Sequence, residues 1–344
     1  MIISRREFMR NGASAVAAGA AMPAALMNMA AARAANRVLV VMELNGGNDA
    51  LNTVIPISDP LYAMARPTLA IRRSEALMLD GEVALHPAMK SMHELYERGQ
   101  LAIIQGVGYP NASRSHFRSM EVWHRGVLSA DVTNGWLGRY CEQATAGQDL
   151  TPMVYSGNEL PEVFKAEGIE ARRIDLEKLQ TPAEYPQGQL GAELATFAEM
   201  IKQDAKSKLF YVSVGGFDTH ARQAESHGKL LGMVSAGMGA FLAEMRRAGR
   251  EKDVMVMVFS EFGRRVKENT SAGTDHGTAG VMFFAGGSVR GGLYGRQPHL
   301  TDLHEGDLRY SVDFRDCYAT VLERWLGTAA DRVVAHGGQP IAFV

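Results

Sequence analysis

The sequence predicts an α/β fold with a mostly parallel central sheet. Short apolar runs rich in β-branched residues, such as 254–259 and 281–285, are typical of strands buried on both faces. Segments with the apolar spacing of amphipathic helices separate these runs, which indicates strand–helix alternation. Polar, glycine-rich stretches follow the runs, and at the carboxyl edge of a parallel sheet such loops form functional sites.

Composition sets broad limits on the class of protein. The 344 residues are 46% hydrophobic and 22% charged, which suits one large or two medium domains. A net charge of -2 gives no electrostatic support for a nucleic-acid partner. The cysteines, Cys141 and Cys317, are too few for a disulfide-rich scaffold or a cysteine-built zinc cluster. They could pair in an oxidising compartment, but we favour two buried thiols.

The amino terminus resembles a twin-arginine export signal. The run Ser4-Arg5-Arg6-Glu7-Phe8 precedes an Ala- and Gly-rich stretch that ends at Ala32-Arg33-Ala34, an A-x-A-like cleavage site. An ordinary Ala-rich helix is disfavoured because the stretch lacks helical periodicity, and Pro23 argues against a membrane span. We therefore predict a signal peptide at 1–34 and a single exported domain at 35–344. The predicted location is periplasmic or extracellular, with the twin-arginine export machinery as a partner.

The first two predicted strands end in polar turns. Strand 37–44 runs into a glycine-rich turn that places Asp49 just past its carboxyl end, without the G-x-G-x-x-G spacing of a dinucleotide site. Strand 101–107 runs into a helix that ends near His124, with Ser113 as the predicted N-cap and Ser115 and His116 in the first turn. A helix N-terminus favours an anion or a developing alkoxide, so either serine could be a nucleophile. A plain cap is the alternative.

The central part of the chain is less regular. Region 130–190 contains several prolines and only short apolar pieces, and we predict an insertion over the sheet edge. Helices are predicted at 189–205, 226–247 and 313–326, with a short edge piece at 292–295.

Two further strand ends carry candidate metal ligands. Strand 209–214 is followed by Asp218 and His220, which project to the same side if the backbone stays extended. Such a pair can hold one divalent ion, or it can form a simple Asp–His hydrogen bond. The loop after strand 254–259 adds Glu261, Asp275 and His276, so a metal or catalytic site is predicted at this edge.

Five stretches of the chain carry a resemblance to a known family. They are 45–53, Ser113-Arg114-Ser115-His116-Phe117, Gly216-Phe217-Asp218-Thr219-His220, Ser260-Glu261-Phe262-Gly263-Arg264 and Asp275-His276-Gly277. Together they resemble the secreted bacterial family catalogued as domain of unknown function 1501, and the resemblance spans essentially the whole mature chain. That family is placed near the alkaline phosphatase and sulfatase superfamily, so the resemblance implies a three-layer α/β/α sandwich with two metal sites.

The resemblance implies a ligand set. Asp49 is similar to the first-strand aspartate ligand, and Asp218, His220 and His276 are similar to the Asp and His residues of one metal site. Glu261 stands where the superfamily has the carboxylate of a second site, and Phe262 replaces the histidine that would follow it. The sulfatase Cys/Ser-x-Pro-x-Arg motif is absent from the sequence, which argues against a formylglycine nucleophile.

We therefore predict an exported, metal-dependent hydrolase of phosphate or sulfate esters. A divalent ion (zinc, calcium, magnesium or manganese) would activate a bound water or the hydroxyl of Ser113 or Ser115, with Arg114 or Arg264 neutralising developing charge and His116 nearby. The substrate would be a small-molecule or polymer ester. The alternative is a non-catalytic binding or assembly protein on a degenerate phosphatase-like fold. A metal-free serine hydrolase is weaker, because no G-x-S-x-G elbow is present.

Overall fold

The structure is a computed structural model that describes residues 36–144, 153–175, 177, 179–203, 206–335 and 338–344. The predicted signal peptide at 1–34 lies outside the described residues. No helix in the described ranges has both the length and the apolar character needed to cross a membrane.

The strands are short to medium in length and are distributed along the whole described chain. They are β1 (Val38–Leu44), β2 (Val54–Ile55), β3 (Leu77–Met78), β4 (Ala84–Leu85), β5 (Leu101–Gly108), β6 (Met153–Tyr155), β7 (Ala171–Arg173), β8 (Leu209–Val214), β9 (Val254–Phe259), β10 (Gly280–Ala285), β11 (Gly292–Gly295), β12 (Leu303–His304), β13 (Asp307–Leu308) and β14 (Val312–Asp313).

The helices alternate with these strands. They are α1 (Ala50–Thr53), α2 (Pro60–Ala65), α3 (Lys90–Glu97), α4 (His116–Arg125), α5 (Trp136–Ala144), α6 (Gln189–Lys202), α7 (Gln223–Arg247) and α8 (Phe314–Thr320). A π-helical segment, Val321–Leu326, continues α8, and short 3-10 helices cover Glu162–Phe164, Glu251–Asp253 and Ala330–Arg332.

The central sheet has the strand order β11-β5-β10-β9-β1-β8-β6-β7, and β14 also pairs with β5. All pairs of this sheet are parallel except the two that β10 makes with β5 and β9. The predicted α/β fold with a mostly parallel sheet is confirmed. Part of region 130–190 extends this sheet as β6 and β7, so that stretch builds the edge of the sheet rather than lying only over it.

Each face of the sheet is covered by helices, which makes three layers. Alternate residues of β1 separate the two cores: Val40 and Met42 pack in the core that includes residues of α3, α6 and α7, whereas Leu39 and Val41 pack in the core that includes residues of α4, α5 and α8. Aromatic stacks fill the second core, with ring centroids 4.4 Å apart for Trp123–Phe314 and for Trp136–Tyr318. Cys141 and Cys317 are both buried and are not joined in a disulfide, as the favoured interpretation predicted.

Several helix boundaries differ from the sequence-based prediction. The N-cap of α4 is Ser115 rather than Ser113, because the backbone of Ser115 is still extended (φ -91°, ψ 126°) and the helix begins at His116. Helix α6 ends at Lys202, and α7 begins at Gln223, three residues earlier than predicted. These shifts leave the order of elements unchanged.

The polar loops meet at one edge of the sheet. The carboxyl ends of β1, β5, β8 and β9 share that edge because these strands run in the same direction. Strand β10 runs the opposite way, so its amino end, preceded by His276, lies there too. The turns after β1 and β8 touch closely: Gly46 has φ +123°, and a Cβ there would lie 2.3 Å from the backbone nitrogen of Asp218.

We predict that Gly46→Ala lowers the free energy of unfolding by about 3 kcal/mol, because alanine adds both backbone strain and a collision with Asp218. Gly99→Ala is the matched control, since Gly99 also has positive φ (+68°) but nothing within 4 Å of an added Cβ. It should cost about 1 kcal/mol. Urea unfolding of both variants measures the difference, and equal losses would contradict the proposed close contact.

Candidate metal centre

Three histidines surround one carboxylate oxygen at the sheet edge. Asp218 Oδ1 lies 3.0 Å from His220 Nε2, 3.1 Å from His276 Nε2 and 3.5 Å from His116 Nε2. His276 Nε2 is in turn 3.1 Å from His116 Nε2 and 2.9 Å from His220 Nε2. The ligand atoms of His116, Asp218 and His276 all lie within 4.8 Å of one another. His220 borders this group next to Asp218 and His276.

The other ring nitrogen of each histidine faces an oxygen that can only accept a hydrogen bond. We therefore assign the proton of each neutral ring to Nδ1, which leaves each Nε2 with a free lone pair. Lone pairs that converge at these distances repel one another and the carboxylate. A proton removes the repulsion between two of these atoms, whereas a metal cation placed among them would remove the repulsion between all of them. This arrangement is typical of metal-ligating histidines. The Nδ1 partners are Glu261 Oε1 for His116 at 2.8 Å, the Arg114 carbonyl for His276 at 2.8 Å and Asp275 Oδ1 for His220 at 3.3 Å.

Glu261 lies behind His116. Its buried carboxylate accepts the backbone N–H groups of Gly46 at 2.9 Å and Gly47 at 3.0 Å, and the Ser260 hydroxyl at 2.9 Å. With the contact to His116 Nδ1, both carboxylate oxygens of Glu261 have hydrogen-bond partners. Glu261 therefore orients His116 and does not point at the place where the Nε2 atoms meet.

Arg264 holds the loops of the centre together. Its buried guanidinium donates to Asp218 Oδ1 at 2.7 Å and to the backbone carbonyls of Gly46, Gly47 at 2.7 Å, Phe217 at 3.0 Å and Thr274 at 2.8 Å. Partial burial raises the pKa of the Asp218 carboxyl, but the contacts of the carboxylate, foremost the hydrogen bond and the positive charge of Arg264, outweigh it and lower the pKa to about 2. Asp218 is therefore ionised at neutral pH.

Phe262 packs beneath the histidines. Its ring centroid is 4.9 Å from those of His116 and His276, and the side chain is buried. The ring also lies against Gly47, where a Cβ would come within 2.2 Å of it. Phe262 thus fills the floor of the centre where the superfamily resemblance implied a ligand. In the described part of the chain, a single group of three or more His, Cys, Asp or Glu residues has ligand atoms this close.

Arg114 contacts the centre through its backbone carbonyl, and its guanidinium is engaged in an ion pair. Its carbonyl is the Nδ1 partner of His276, and its guanidinium is paired with Asp307, whose Oδ2 lies 2.7 Å from Arg114 Nε. Asp307 is buried in the β12–β13 hairpin. No local sequence pattern marks Asp307 as part of this site, because its partner Arg114 is 193 residues away.

The two serines differ in their hydrogen bonds. Ser113 Oγ accepts the backbone N–H of Ser115 at 3.1 Å, which closes a local turn. Ser115 is exposed, directly precedes His116, and its hydroxyl caps no backbone N–H of α4. Of the two hydroxyls, that of Ser115 is therefore the one available at the N-terminus of α4.

Asp49 belongs to a separate buried network. Its carboxylate accepts hydrogen bonds from Arg66 and Gln223, and it does not join the His116–Asp218–His276 group. Burial raises the pKa of Asp49, but the charge and hydrogen bond of Arg66 outweigh it, so the pKa is lowered. The neighbouring His227 Nε2 lies 2.9 Å from Asn48 Oδ1, and burial lowers the pKa of His227 to about 4.

The fold and centre define an α/β protein whose sheet edge brings three histidines around one aspartate. The family model described as "Protein of unknown function (DUF1501)" matches residues 158–344, and the chain belongs to this family, as the sequence resemblance predicted. No curated protein matches the chain in sequence.

Similar solved structures include members of the alkaline phosphatase superfamily. An alkaline phosphatase superfamily protein from Vibrio parahaemolyticus shares 10% identity, with 87% of this chain and 67% of that chain covered and a TM-score of 0.48. The lipoteichoic acid synthase LtaP from Listeria monocytogenes shares 10% identity over 89% of this chain and 75% of its own, with a TM-score of 0.46. Murine ectonucleotide pyrophosphatase/phosphodiesterase 5 shares 10% identity, with 88% of this chain and 97% of that chain covered and a TM-score of 0.48. We transfer no residue role from these distant structures.

We predict that the protein loses stability as the pH falls from 6.5 towards 4. His227 binds a proton less readily in the folded chain than in the unfolded chain, so its contribution is complete above pH 6.5 and declines below it. The slope should reach about 1.4 kcal/mol per pH unit for this residue. His227→Gln should flatten the slope in urea unfolding measured at several pH values, whereas His299→Gln, at an exposed position, should not. Identical slopes in all three proteins would contradict this assignment.

Proposed function

We propose that this protein is an exported hydrolase of phosphate or sulfate esters that uses one divalent metal ion. The observation that carries the proposal is the convergence of three Nε2 atoms on Asp218 Oδ1, each histidine being held from behind by an accepting oxygen. The resemblance of the same strand ends to the phosphatase and sulfatase superfamily points to the class of ester.

The donor set fits a metal. His116, Asp218 and His276 would hold the ion, and His220 is placed to join them. Metal–nitrogen bonds of about 2.0–2.1 Å separate tetrahedral ligands by roughly 3.4 Å, close to the 2.9–3.5 Å between these donor atoms. Imidazole nitrogens favour zinc over calcium or magnesium, which prefer oxygen ligands. When bound, such an ion polarises an ester oxygen and lowers the pKa of a coordinated water or hydroxyl.

The chain's own residues would bind and orient the ester anion. Helix α4 begins at His116, so its free N–H groups and the positive end of its dipole lie next to the centre. Ser115 stands at that helix end with an uncommitted cap hydroxyl and is the better candidate nucleophile of the two serines. Arg114 and Arg264 are occupied by carboxylates and carbonyls, and we propose that they position the centre rather than bind substrate.

Export is proposed from the sequence. The twin-arginine motif at 4–8 and the cleavage site near 32–34 indicate transport after folding, a route that suits a protein loaded with metal in the cytoplasm. The mature chain would then act in the periplasm or outside the cell.

We predict that the protein purified from the periplasm contains about one divalent ion per chain and hydrolyses p-nitrophenyl phosphate or p-nitrophenyl sulfate. His276→Ala removes one donor, so metal content should fall towards zero and turnover about 10²-fold or more. Elemental analysis and initial rates with and without chelator measure both effects.

His299→Ala is the control, because His299 is exposed and outside the centre. Circular dichroism should show that both variants remain folded. A metal-free wild-type protein whose behaviour a chelator leaves unchanged would reject the metal-dependent hydrolase in favour of a binding protein.

We also predict that Ser115→Ala lowers turnover about 10²-fold or more while Ser113→Ala leaves it within a few-fold, because only the Ser115 hydroxyl is available at the N-terminus of α4. Metal content should be equal in both variants, which separates loss of a nucleophile from loss of the ion. Unchanged turnover in Ser115→Ala would assign the attack to water instead.

A further inference from the structure

A second cleft, of about 610 Å³, opens beside the metal centre. We call it the apolar cleft because aliphatic side chains from α2 and the 300–303 turn form much of its lining: Leu61, Met64, Leu300 and Leu303. Two cationic residues of the loop after β9, Arg265 and Lys267, also line it. None of these side chains is one of the three histidines or the aspartate that form the centre.

The apolar cleft adjoins the metal centre through two residues that contact His220. Asp275 and Asn269 line the cleft, and both hold His220. Asp275 Oδ1 lies 3.3 Å from His220 Nδ1, while Asn269 Nδ2 donates to Asp275 Oδ1 at 3.0 Å and to the His220 carbonyl at 3.0 Å. A ligand that reaches the centre past His220 therefore has the apolar cleft next to it.

The lining is suited to an apolar chain. Met64 is 74% exposed, and it is one of the few large hydrophobic side chains exposed in the described part of the chain. Exposed apolar surface grouped in a concave site marks a place where an apolar ligand is bound. Arg265 and Lys267 line the cleft together with Glu268 and Asp275, so these charges balance, and the aliphatic side chains set what the cleft binds.

We infer that the apolar cleft binds the alkyl chain of the alcohol that the ester carries. The inference rests on the proposed function and gives its substrate class: long-chain alkyl esters of phosphate or sulfate. The anionic group lies at the metal centre, and the chain lies along Met64 and Leu303. Short or wholly polar esters lack the part that the cleft recognises.

The test compares ethyl, butyl, hexyl and octyl esters of phosphate and of sulfate, below their micelle-forming concentrations. Each methylene that leaves water should raise kcat/KM about fourfold until the cleft is full. Met64→Glu and Leu303→Glu should flatten this dependence when each rate is divided by that of the ethyl ester in the same variant. Leu160→Glu, at another exposed apolar residue that is not among those lining the cleft, should retain the wild-type dependence.

The outcomes separate the two proposals. Hydrolysis without chain-length dependence in the wild type would overturn the role of the cleft and leave the hydrolase standing. If no ester is hydrolysed, the proposed function fails. Calorimetric titration with ethyl- and octylphosphonate then tests separately whether the cleft binds an alkyl chain. Tighter binding of the octyl compound by the wild type and Leu160→Glu, but not by Met64→Glu, supports the cleft; equal binding of both compounds overturns it.

Discussion

The candidate centre depends on the guanidinium of Arg264. One buried cation joins the turn after β1, the segment after β8 and the loop before β10, because it donates to carbonyls of all three and to Asp218. A buried arginine is stable only when its donors are satisfied, and here backbone oxygens and one carboxylate satisfy them. Three segments distant in sequence thereby share one support, so the position of Asp218 relative to His276 follows from it.

A different group orients each of the three histidines. Glu261 orients His116 through one oxygen and binds the glycine turn through both, Asp275 faces His220, and the Arg114 carbonyl faces His276. Phe262 packs against two of the rings and against Gly47. The phenylalanine that stands in place of an expected ligand therefore has a packing role: its buried ring supports His116 and His276.

Much of the fold could be predicted from local patterns. Strands β8 and β9 match the predicted ranges residue for residue, because an apolar run buried in a parallel sheet is bounded by its own polar flanks. That Asp218 lies at the carboxyl edge also follows from parallel strand direction, whereas His276 lies there because β10, the strand it precedes, runs the opposite way. Which residues face the centre and which hold those residues from behind could not be predicted from local patterns. That distinction depends on contacts such as the one between Gly46 and Glu261, which are 215 residues apart. The helix predicted from Ser113 begins two residues later, at His116 after Ser115, and Ser113 instead lies in a local turn in which its hydroxyl accepts the Ser115 N–H.

The hydrogen bonds behind the three histidines have a consequence for how an ion would be acquired if the proposed function holds. In proteins where the metal site forms only with the ion, binding free energy is folding free energy, and removal of the ion unfolds the domain. Here each histidine is held by a hydrogen bond to an oxygen of the fold, and Asp218 is held by a buried arginine. Loading and loss of the proposed ion would then be exchange reactions of a folded chain, governed by the free ion concentration around it.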